Sequence, residues 1–169
     1  RGVSSMNVWF AETETKAKEG LSFMPLLLKD ITASYTNEGE DVLAIVNGKY
    51  PANSHDTSIE RWTSWSKKGE KQSIVFDFEK ATDLKAFSVY WYDDKGGVQI
   101  PLSWNLEYKK ENGEWQTFPL YSTDSYSIFK DQFNLVHSDG DAFIIKSLRL
   151  NMVPQKDNAI GILQVKFDI

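Results

Sequence analysis

Alternation of apolar and polar positions over most of the chain predicts a series of short β-strands. In the first clear example, Ile74, Phe76 and Phe78 fall on one face and polar or smaller residues on the other. Residues 84–92 form a nearly continuous aromatic and β-branched run, which is typical of a central strand buried on both faces. Further strands are predicted at 103–108, 114–118, 132–136, 146–152 and 162–169.

A β-hairpin is predicted over residues 103–118. Trp104, Leu106 and Tyr108 alternate with polar residues, and Asn112-Gly113 follows them. This dipeptide readily takes the two positive φ angles of a type I′ turn, so the chain is expected to reverse there. In these strand patterns Trp91, Trp104 and Trp115 are all expected to lie in the core.

The last predicted strand carries its apolar residues at every second position, which places them on one face. These residues are Leu163, Val165, Phe167 and Ile169. Residues 1–30 lack this pattern, and their polar stretch 11–20 has no apolar stripe for a helix. We therefore expect 1–30 to be an N-terminal extension or a linker from a preceding domain, and 31–169 to be an all-β antiparallel sandwich with little helix.

Composition limits the possible functions. The 169 residues are 41% hydrophobic and 25% charged, which suits one soluble globular domain. There is no cysteine, which excludes a thiol nucleophile or thiolate metal site. A net charge of −5 argues against nucleic-acid partners and anionic lipid. Only the short apolar run 23–28 could touch a membrane, so no membrane partner is expected. The start at Arg1, without Met or a signal-like run, suggests a fragment or processed chain.

The sequence contains no recognisable catalytic constellation. His55 and His137 do not stand in a metal-ligand spacing, and no nucleophile-elbow or phosphate-binding motif occurs. The neighbouring carboxylates of Asp93 and Asp94 follow an extended strand and should point to opposite sides, whereas glycoside hydrolysis needs two carboxylates facing one sugar. The chain is therefore predicted not to be an enzyme.

A long loop over residues 47–65 carries many oxygen-bearing side chains, which suit either of two roles. The candidates are Asn47, Asn53, Asp56, Thr57 and Ser58. Oxygen atoms in an irregular loop suit a hard cation such as Ca²⁺. Alternatively, the same side chains bond their own backbone in Asx and Ser/Thr turns, which composition alone favours.

Three blocks in a fixed order resemble the discoidin, or F5/8 type C, superfamily of galactose-binding-like β-sandwich modules. The first is AIVNGKYPANSHDTSIERWTSWSKKG, and the second is VYWYDDKGGVQIPLSWNLEYKKENGEWQTF. The third consists of FKDQFNLV, LRL and AIGILQV. The resemblance covers about residues 31–169. It is nearest to family 32-type carbohydrate-binding modules appended to bacterial glycoside hydrolases, such as β-L-arabinofuranosidase-type and chitobiase-like enzymes.

This resemblance implies a structural Ca²⁺ beside the first long loop. The family commonly has an acidic residue where this chain has Asn47 and Gln164, and a Thr or Ser at Thr57 or Ser58. Because two carboxylates are replaced by amides here, we expect the calcium site to be weakened. Calcium is thus the one possible cofactor. The resemblance also makes Trp62 a core residue and leaves Trp65 as the exposed aromatic.

The resemblance further places the ligand loops at one end of the sandwich. A sugar site pairs an exposed aromatic plate with fixed polar groups. The candidate ligand-binding residues are Trp65, His55, Arg61, Tyr92, Asp93 and Asp94. A second aromatic cluster lies in the loop 121–130, at Tyr121, Tyr126 and Phe129.

The function predicted from these observations is a non-catalytic carbohydrate-binding module of a secreted, periplasmic or cell-surface glycoside hydrolase. Its expected partners are a glycan and a parent catalytic domain in the same polypeptide. The alternative is a structural module that packs against its parent enzyme, because aromatic residues are also enriched at protein interfaces. Exposed aromatics gathered at one loop end would favour sugar binding, and an apolar sheet face would favour packing.

Overall fold

A computed structural model describes residues 27–140 and 142–169, which form nine strands and one short 3₁₀ helix. The strands are β1 Leu28–Ala33, β2 Trp62–Thr63, β3 Gln72–Asp83, β4 Ala86–Tyr92, β5 Ser103–Lys109, β6 Gln116–Thr117, β7 Asn134–His137, β8 Ile144–Val153 and β9 Gly161–Asp168. The 3₁₀ helix, Val42–Val46, follows Asp41, whose side chain accepts from the Leu43 N–H. Within these residues no helix is long and apolar enough to cross a membrane.

The strands form two antiparallel sheets. The five-stranded sheet has the order β1-β3-β8-β5-β6, and the four-stranded sheet has the order β2-β9-β4-β7. This arrangement confirms the predicted all-β sandwich. Residues 1–26 of the predicted extension 1–30 lie outside the described residues. The same holds for residues 23–26 of the apolar run 23–28.

The main core lies between the sheets and is rich in aromatic rings. Phe167 contacts three other phenylalanine rings edge-on, at centroid distances of 5.1 to 5.5 Å. Trp91 and Trp104 pack edge-to-face at 5.7 Å, as predicted for core residues. Edge-to-face packing brings the positive edge of one ring against the negative face of another, so it stabilises this core beyond area burial alone.

Strand β4 is buried along its whole length, as its apolar run predicted. Its inward residues join the main core, whereas Tyr90 and Tyr92 belong to a second apolar cluster with Val98, Ala159 and Leu163. Ile59, from the long loop, packs against this second cluster. The loop therefore covers part of the outer face of the four-stranded sheet and is held there by apolar contacts.

One of the four residues assigned to a single face of the last strand was placed wrongly. Tyr90 pairs with Gln164 but Trp91 pairs with Ile162, so the register between β4 and β9 shifts at Leu163. Such a bulge inserts one unpaired residue and interrupts the two-residue period. Leu163 consequently lies in the second cluster, while Val165 and Phe167 remain in the main core.

Trp115 was also assigned wrongly, because it lies outside both apolar clusters. It is partly exposed, with the Arg149 Cζ atom 4.3 Å and the Lys109 Nζ atom 5.0 Å from its ring centroid. Only two residues of the returning strand, Gln116 and Thr117, pair with β5. The hairpin therefore leaves Trp115 in cation–π contact rather than in the core.

The hairpin turn forms where it was predicted but with different geometry. The Gly113 N–H donates to the Lys110 carbonyl at 2.9 Å, and Asn112 has a φ of 58°. Gly113 is not among the glycines with positive φ, so the turn is not type I′. Asn112 alone carries the left-handed conformation.

We expect Asn112→Val to destabilise the domain by about 1–2 kcal/mol, because a β-branched residue is strained at positive φ. Asn112→Gly should be neutral or stabilising, since glycine adopts this φ freely. Thermal unfolding of the two variants checks the prediction. Equal melting temperatures for both would show that this turn is not strained by a β-branched side chain.

Candidate functional site

A small cleft opens at the end of the sandwich where β2 and β4 finish. Its volume is about 210 Å³. The lining residues come from three separate stretches of chain: Asn37, Glu40, Arg61, Thr63, Trp65, Tyr92, Asp94, Gly97 and Val98. Four of the six residues predicted as ligand-binding, Trp65, Arg61, Tyr92 and Asp94, therefore meet in one place.

Trp65 forms one wall of the cleft. It lies two residues after the end of β2 and is 37% exposed. Trp62, three positions earlier, is fully buried, and its Nε1–H donates to the Tyr35 carbonyl at 2.9 Å. The Trp65 ring lies against Gly97 so closely that a Cβ there would be 2.1 Å from Cζ3. The absence of a side chain at Gly97 therefore lets the ring occupy its position.

Arg61, Glu40 and Tyr92 form the opposite side of the cleft. The Arg61 Cζ atom lies 4.7 Å from the Tyr92 ring centroid, and its Nε is 3.9 Å from Glu40 Oε2. Glu40 Oε1 accepts from both the backbone N–H and the hydroxyl of Thr63, at 2.7 and 2.8 Å. Burial raises the pKa of Tyr92 above its ordinary value, with Arg61 acting against this, so the phenol stays neutral.

Asp93 and Asp94 have separate tasks, as their opposite directions predicted. Asp93 is buried and accepts from the N–H groups of Lys95 and Ile100, with the Lys130 Nζ 3.4 Å away. Asp94 is exposed, and its Oδ1 accepts from the N–H groups of Gly96 and Val98. Asp93 therefore shapes the loop from within, while Asp94 lines the cleft.

A segment behind the cleft connects its two walls. On one side, Ile160 exchanges two hydrogen bonds with Ser64, next to Trp65. On the other side, the Ala159 N–H donates to the Gly97 carbonyl at 2.8 Å, and Asn158 Nδ2 donates to the Gly96 carbonyl at 2.9 Å. Residues 158–160 therefore hold the Trp65 wall and the Gly97 wall in one hydrogen-bonded unit.

His55 lies in the long loop and does not line the cleft. The loop around it consists of turns in which side chains bond their own backbone. Asn53 accepts from the His55 N–H, and Asp56 accepts from the N–H groups of Ala52 and Ser58. The hydrogen bond from Ala52, with those from Ser58, lowers the pKa of Asp56 below its usual value. The Asx-turn interpretation is therefore confirmed for these residues.

The position where the family would hold calcium is organised by amide groups. Gln164 is fully buried, and its Oε1 accepts from the Gly48 N–H at 2.9 Å. Its Nε2 donates to Asn47 Oδ1 at 3.0 Å and approaches the Ala44 carbonyl at 3.4 Å. Asn47 Oδ1 also accepts from the Lys49 N–H. An N–H donor thus faces the oxygens that a cation would need.

These residues do not fit a calcium ion. Thr57, the third predicted ligand, is exposed and makes no hydrogen bond to Asn47 or Gln164. Within residues 27–140 and 142–169, no group of three or more His, Cys, Asp or Glu side chains could hold a metal. The calcium site at Asn47, Thr57 and Gln164 is therefore not supported.

Sequence reasoning missed several cleft residues. Glu40 and Asn37 lie in a polar stretch before the 3₁₀ helix, and no periodic pattern distinguishes them. Gly97 carried a usable signal, because two consecutive glycines after Asp94 indicate a tight turn or a close approach. The ring that lies against Gly97 belongs to Trp65, 32 positions earlier in the chain, and no local sequence pattern predicts this contact.

The matching family model is the F5/8 type C domain, over residues 30–161. This match covers well over half of the chain, and the chain belongs to this family. Membership of this family confirms the prediction that the chain is a non-catalytic module rather than an enzyme.

Solved structures with the same fold include several carbohydrate-binding modules. A structure from the Streptococcus pneumoniae β-galactosidase BgaA is 16% identical, with a TM-score of 0.64, covering 85% of this chain and 98% of that chain. The family 32 module of C. perfringens NanJ, solved with galactose, is 10% identical, with a TM-score of 0.62 and coverages of 82% and 91%. A chitosan-binding module from a Paenibacillus chitosanase/glucanase is 16% identical, with a TM-score of 0.60 and coverages of 83% and 95%.

Proposed function

We propose that this module binds a neutral glycan in the cleft beside Trp65. The observation that carries the proposal is the meeting of an exposed indole plate with Arg61, Glu40 and Asp94 in one cleft. Sugars have C–H patches that pack on an aromatic plate and hydroxyls at the rim that need fixed polar partners. Both kinds of group are present here, on walls joined by hydrogen bonds.

The size and charge of the cleft narrow the ligand class. Pockets that enclose a drug-sized molecule measure about 300–1,000 Å³, so about 210 Å³ suits one sugar unit or a chain end. A second cleft shares the Glu40–Arg61 wall and adds Asp41 and Glu60. Together with Asp94, these four carboxylates outnumber the two cations, Arg61 and Lys68, whose Nζ lies 5.1 Å from the Trp65 ring centroid. This excess of negative charge favours hydroxyl donors over acidic sugars such as uronates.

The related modules support a glycan partner, since one is described in complex with galactose and another as chitosan-binding. By the same analogy we propose a secreted, periplasmic or cell-surface location and a parent glycoside hydrolase in the same polypeptide. The alternative of a purely structural module is less favoured. A packing module would need an apolar sheet face. On the outer face across β5 and β8, Arg149 and Asn151 both donate to Glu107 Oε1, so the surface around Glu107 is polar.

Trp65→Ala is expected to weaken glycan binding about tenfold or more, because the variant loses the contact between the indole ring and the sugar at the centre of the cleft. The matched control is Phe129→Ala, which removes another aromatic side chain, 61% exposed and outside the cleft. Isothermal titration with galactose, N-acetylglucosamine oligomers and a uronate would measure the affinities. Equal binding by both variants, or tightest binding of the uronate, would contradict the proposal.

A further inference from the structure

A second open cavity, of about 560 Å³, lies at the other end of the sandwich. Its lining residues come from the loop after β6 and from the end of β7: Tyr121, Thr123, Asp124, His137, Ser138, Asp139 and Gly140. His137 pairs with Ala86 at the start of β4, whereas Tyr92, at the end of β4, lines the first cleft. Six residue steps along a strand separate the two places by about 20 Å.

The walls of this cavity are held by backbone hydrogen bonds. The Tyr121 N–H donates to the His137 carbonyl at 2.9 Å, and the Asp139 N–H donates to the Pro119 carbonyl at 2.7 Å. The Ser138 hydroxyl donates to the Leu84 carbonyl at 2.9 Å and so fixes the floor to the link between β3 and β4. The cavity therefore exists before any ligand arrives, which lowers the entropic cost of binding.

His137 is oriented by a carboxylate. Asp124 Oδ2 accepts from the His137 backbone N–H at 2.6 Å and lies 2.9 Å from Nδ1 of the same residue. This contact places the ring proton on Nδ1. The His137 side chain is 37% exposed, and Nε2 is its ring nitrogen outside this contact. Neutral imidazole with this tautomer offers Nε2 as a hydrogen-bond acceptor.

Three further polar groups that line the cavity are free to bond a ligand. In the part of the chain that the structure describes, the Tyr121 hydroxyl, the Thr123 hydroxyl and the Asp139 carboxylate have no hydrogen-bond partner. Tyr121 is also 46% exposed, so its ring presents an apolar face. The groove over β5 and β8 differs, because there Asn151 is already bonded to Asn105 and Glu107.

We propose that this cavity is a second saccharide site, which binds a neutral sugar unit against Tyr121 with its hydroxyls on His137 and Asp139. Two carboxylates face one imidazole, so an anionic ligand is disfavoured. The ligand class rests on the proposed function of the module, but the site itself does not use any residue of the first cleft. With both sites filled, one module holds two glycan segments on opposite ends, which raises avidity for a polysaccharide.

The test is a titration of the ¹⁵N-labelled chain with galactose and with N,N′-diacetylchitobiose, followed by backbone amide shifts. We expect shifts in residues 121–124 and 137–140 that persist in Trp65→Ala. Tyr121→Ala should weaken this second response about tenfold while leaving the response around Trp65 unchanged. Tyr121→Phe keeps the ring and should retain most of the second response. Because Tyr121 is exposed, these variants should keep the wild-type melting temperature.

The outcomes separate the two proposals. Shifts around Trp65 without shifts in 121–124 and 137–140 would overturn the second site and leave the first one standing. Shifts only at the second site would overturn the first proposal. No shifts at either end would overturn both, and the Asp124–His137 contact would then be a structural tie between the loop and β7.

Discussion

Replacing Gln164 with leucine is expected to lower the free energy of unfolding by about 3 kcal/mol. Leucine has a similar size, but it leaves the Gly48 N–H and the Ala44 carbonyl without the amide they contact in the native protein, and it leaves Asn47 Oδ1 with the Lys49 N–H alone. A buried polar group that loses its partner costs about 1–3 kcal/mol. For a domain of this size the melting temperature should fall by about 10 °C. Chemical denaturation measures the energy directly.

The same position tests the absence of a calcium requirement. EDTA should change the melting temperature of the native protein little, because Gln164 Nε2 already donates to Asn47 Oδ1 and approaches the Ala44 carbonyl oxygen. The double variant Asn47→Asp with Gln164→Glu brings two carboxylates together in place of that amide contact. We expect it to be less stable than the native protein without calcium, and to regain stability when calcium is added. A large effect of EDTA on the native protein would show that carbonyl and amide oxygens bind the ion unaided.

The second large effect is expected at Gly97, a position with no side chain. In Gly97→Ala the new Cβ would lie 2.1 Å from Trp65 Cζ3 and 2.7 Å from Cη2, so the ring must move. The ring is at the end of an exposed side chain and can be displaced without unfolding the domain. Because the displaced ring also crowds a cleft of only about 210 Å³, glycan affinity should fall more than tenfold.

The neighbouring glycine provides a matched control. A Cβ at Gly96 would meet its nearest atom, Asp94 Oδ1, at 3.3 Å, which a small side-chain shift accommodates. Gly96→Ala should therefore bind glycan with near-native affinity, and both variants should melt close to the native temperature. Equal affinities for the two variants would show that the position of Trp65 does not determine binding.

Much of the fold could be predicted from the sequence, because a strand with one buried face must alternate. The pattern at Ile74, Phe76 and Phe78 is an example, and the fully apolar β4 is another. Three predictions were wrong where local geometry breaks the period: the face of Leu163, the core position of Trp115 and the type of the turn at Asn112-Gly113. A bulge at Leu163 and a single left-handed residue at Asn112 depend on how neighbouring strands pair, and neither leaves a trace in the alternation.

The candidate site was predictable to the extent that its residues are conspicuous by type. Trp65, Arg61 and Tyr92 could be selected because an indole, a guanidinium and a phenol near strand ends suit sugar recognition. Glu40 could not be selected, because its place beside Arg61 depends on the path of a loop that precedes the 3₁₀ helix. The opposite directions of Asp93 and Asp94 could be predicted, since consecutive residues of an extended chain point to opposite sides. Which of the two lines the cleft could not, and both were named as ligand-binding candidates although only Asp94 lines it.

The segment 158–160 has a consequence for engineering new specificities. It holds both walls of the Trp65 cleft through main-chain hydrogen bonds and through the side chains of Asn158 and Ser64, yet it does not itself line the cleft. Libraries that randomise Asn37 should therefore retain a folded, preorganised cleft and can explore different glycans. Glu40 and Asp94 should be kept, because they accept hydrogen bonds from the cleft backbone at Thr63, Gly96 and Val98. Randomising Asn158 or Ser64 instead would remove a side-chain hydrogen bond that ties a wall to this segment, although main-chain bonds remain, so selected clones should favour these two residues whatever sugar is used for selection.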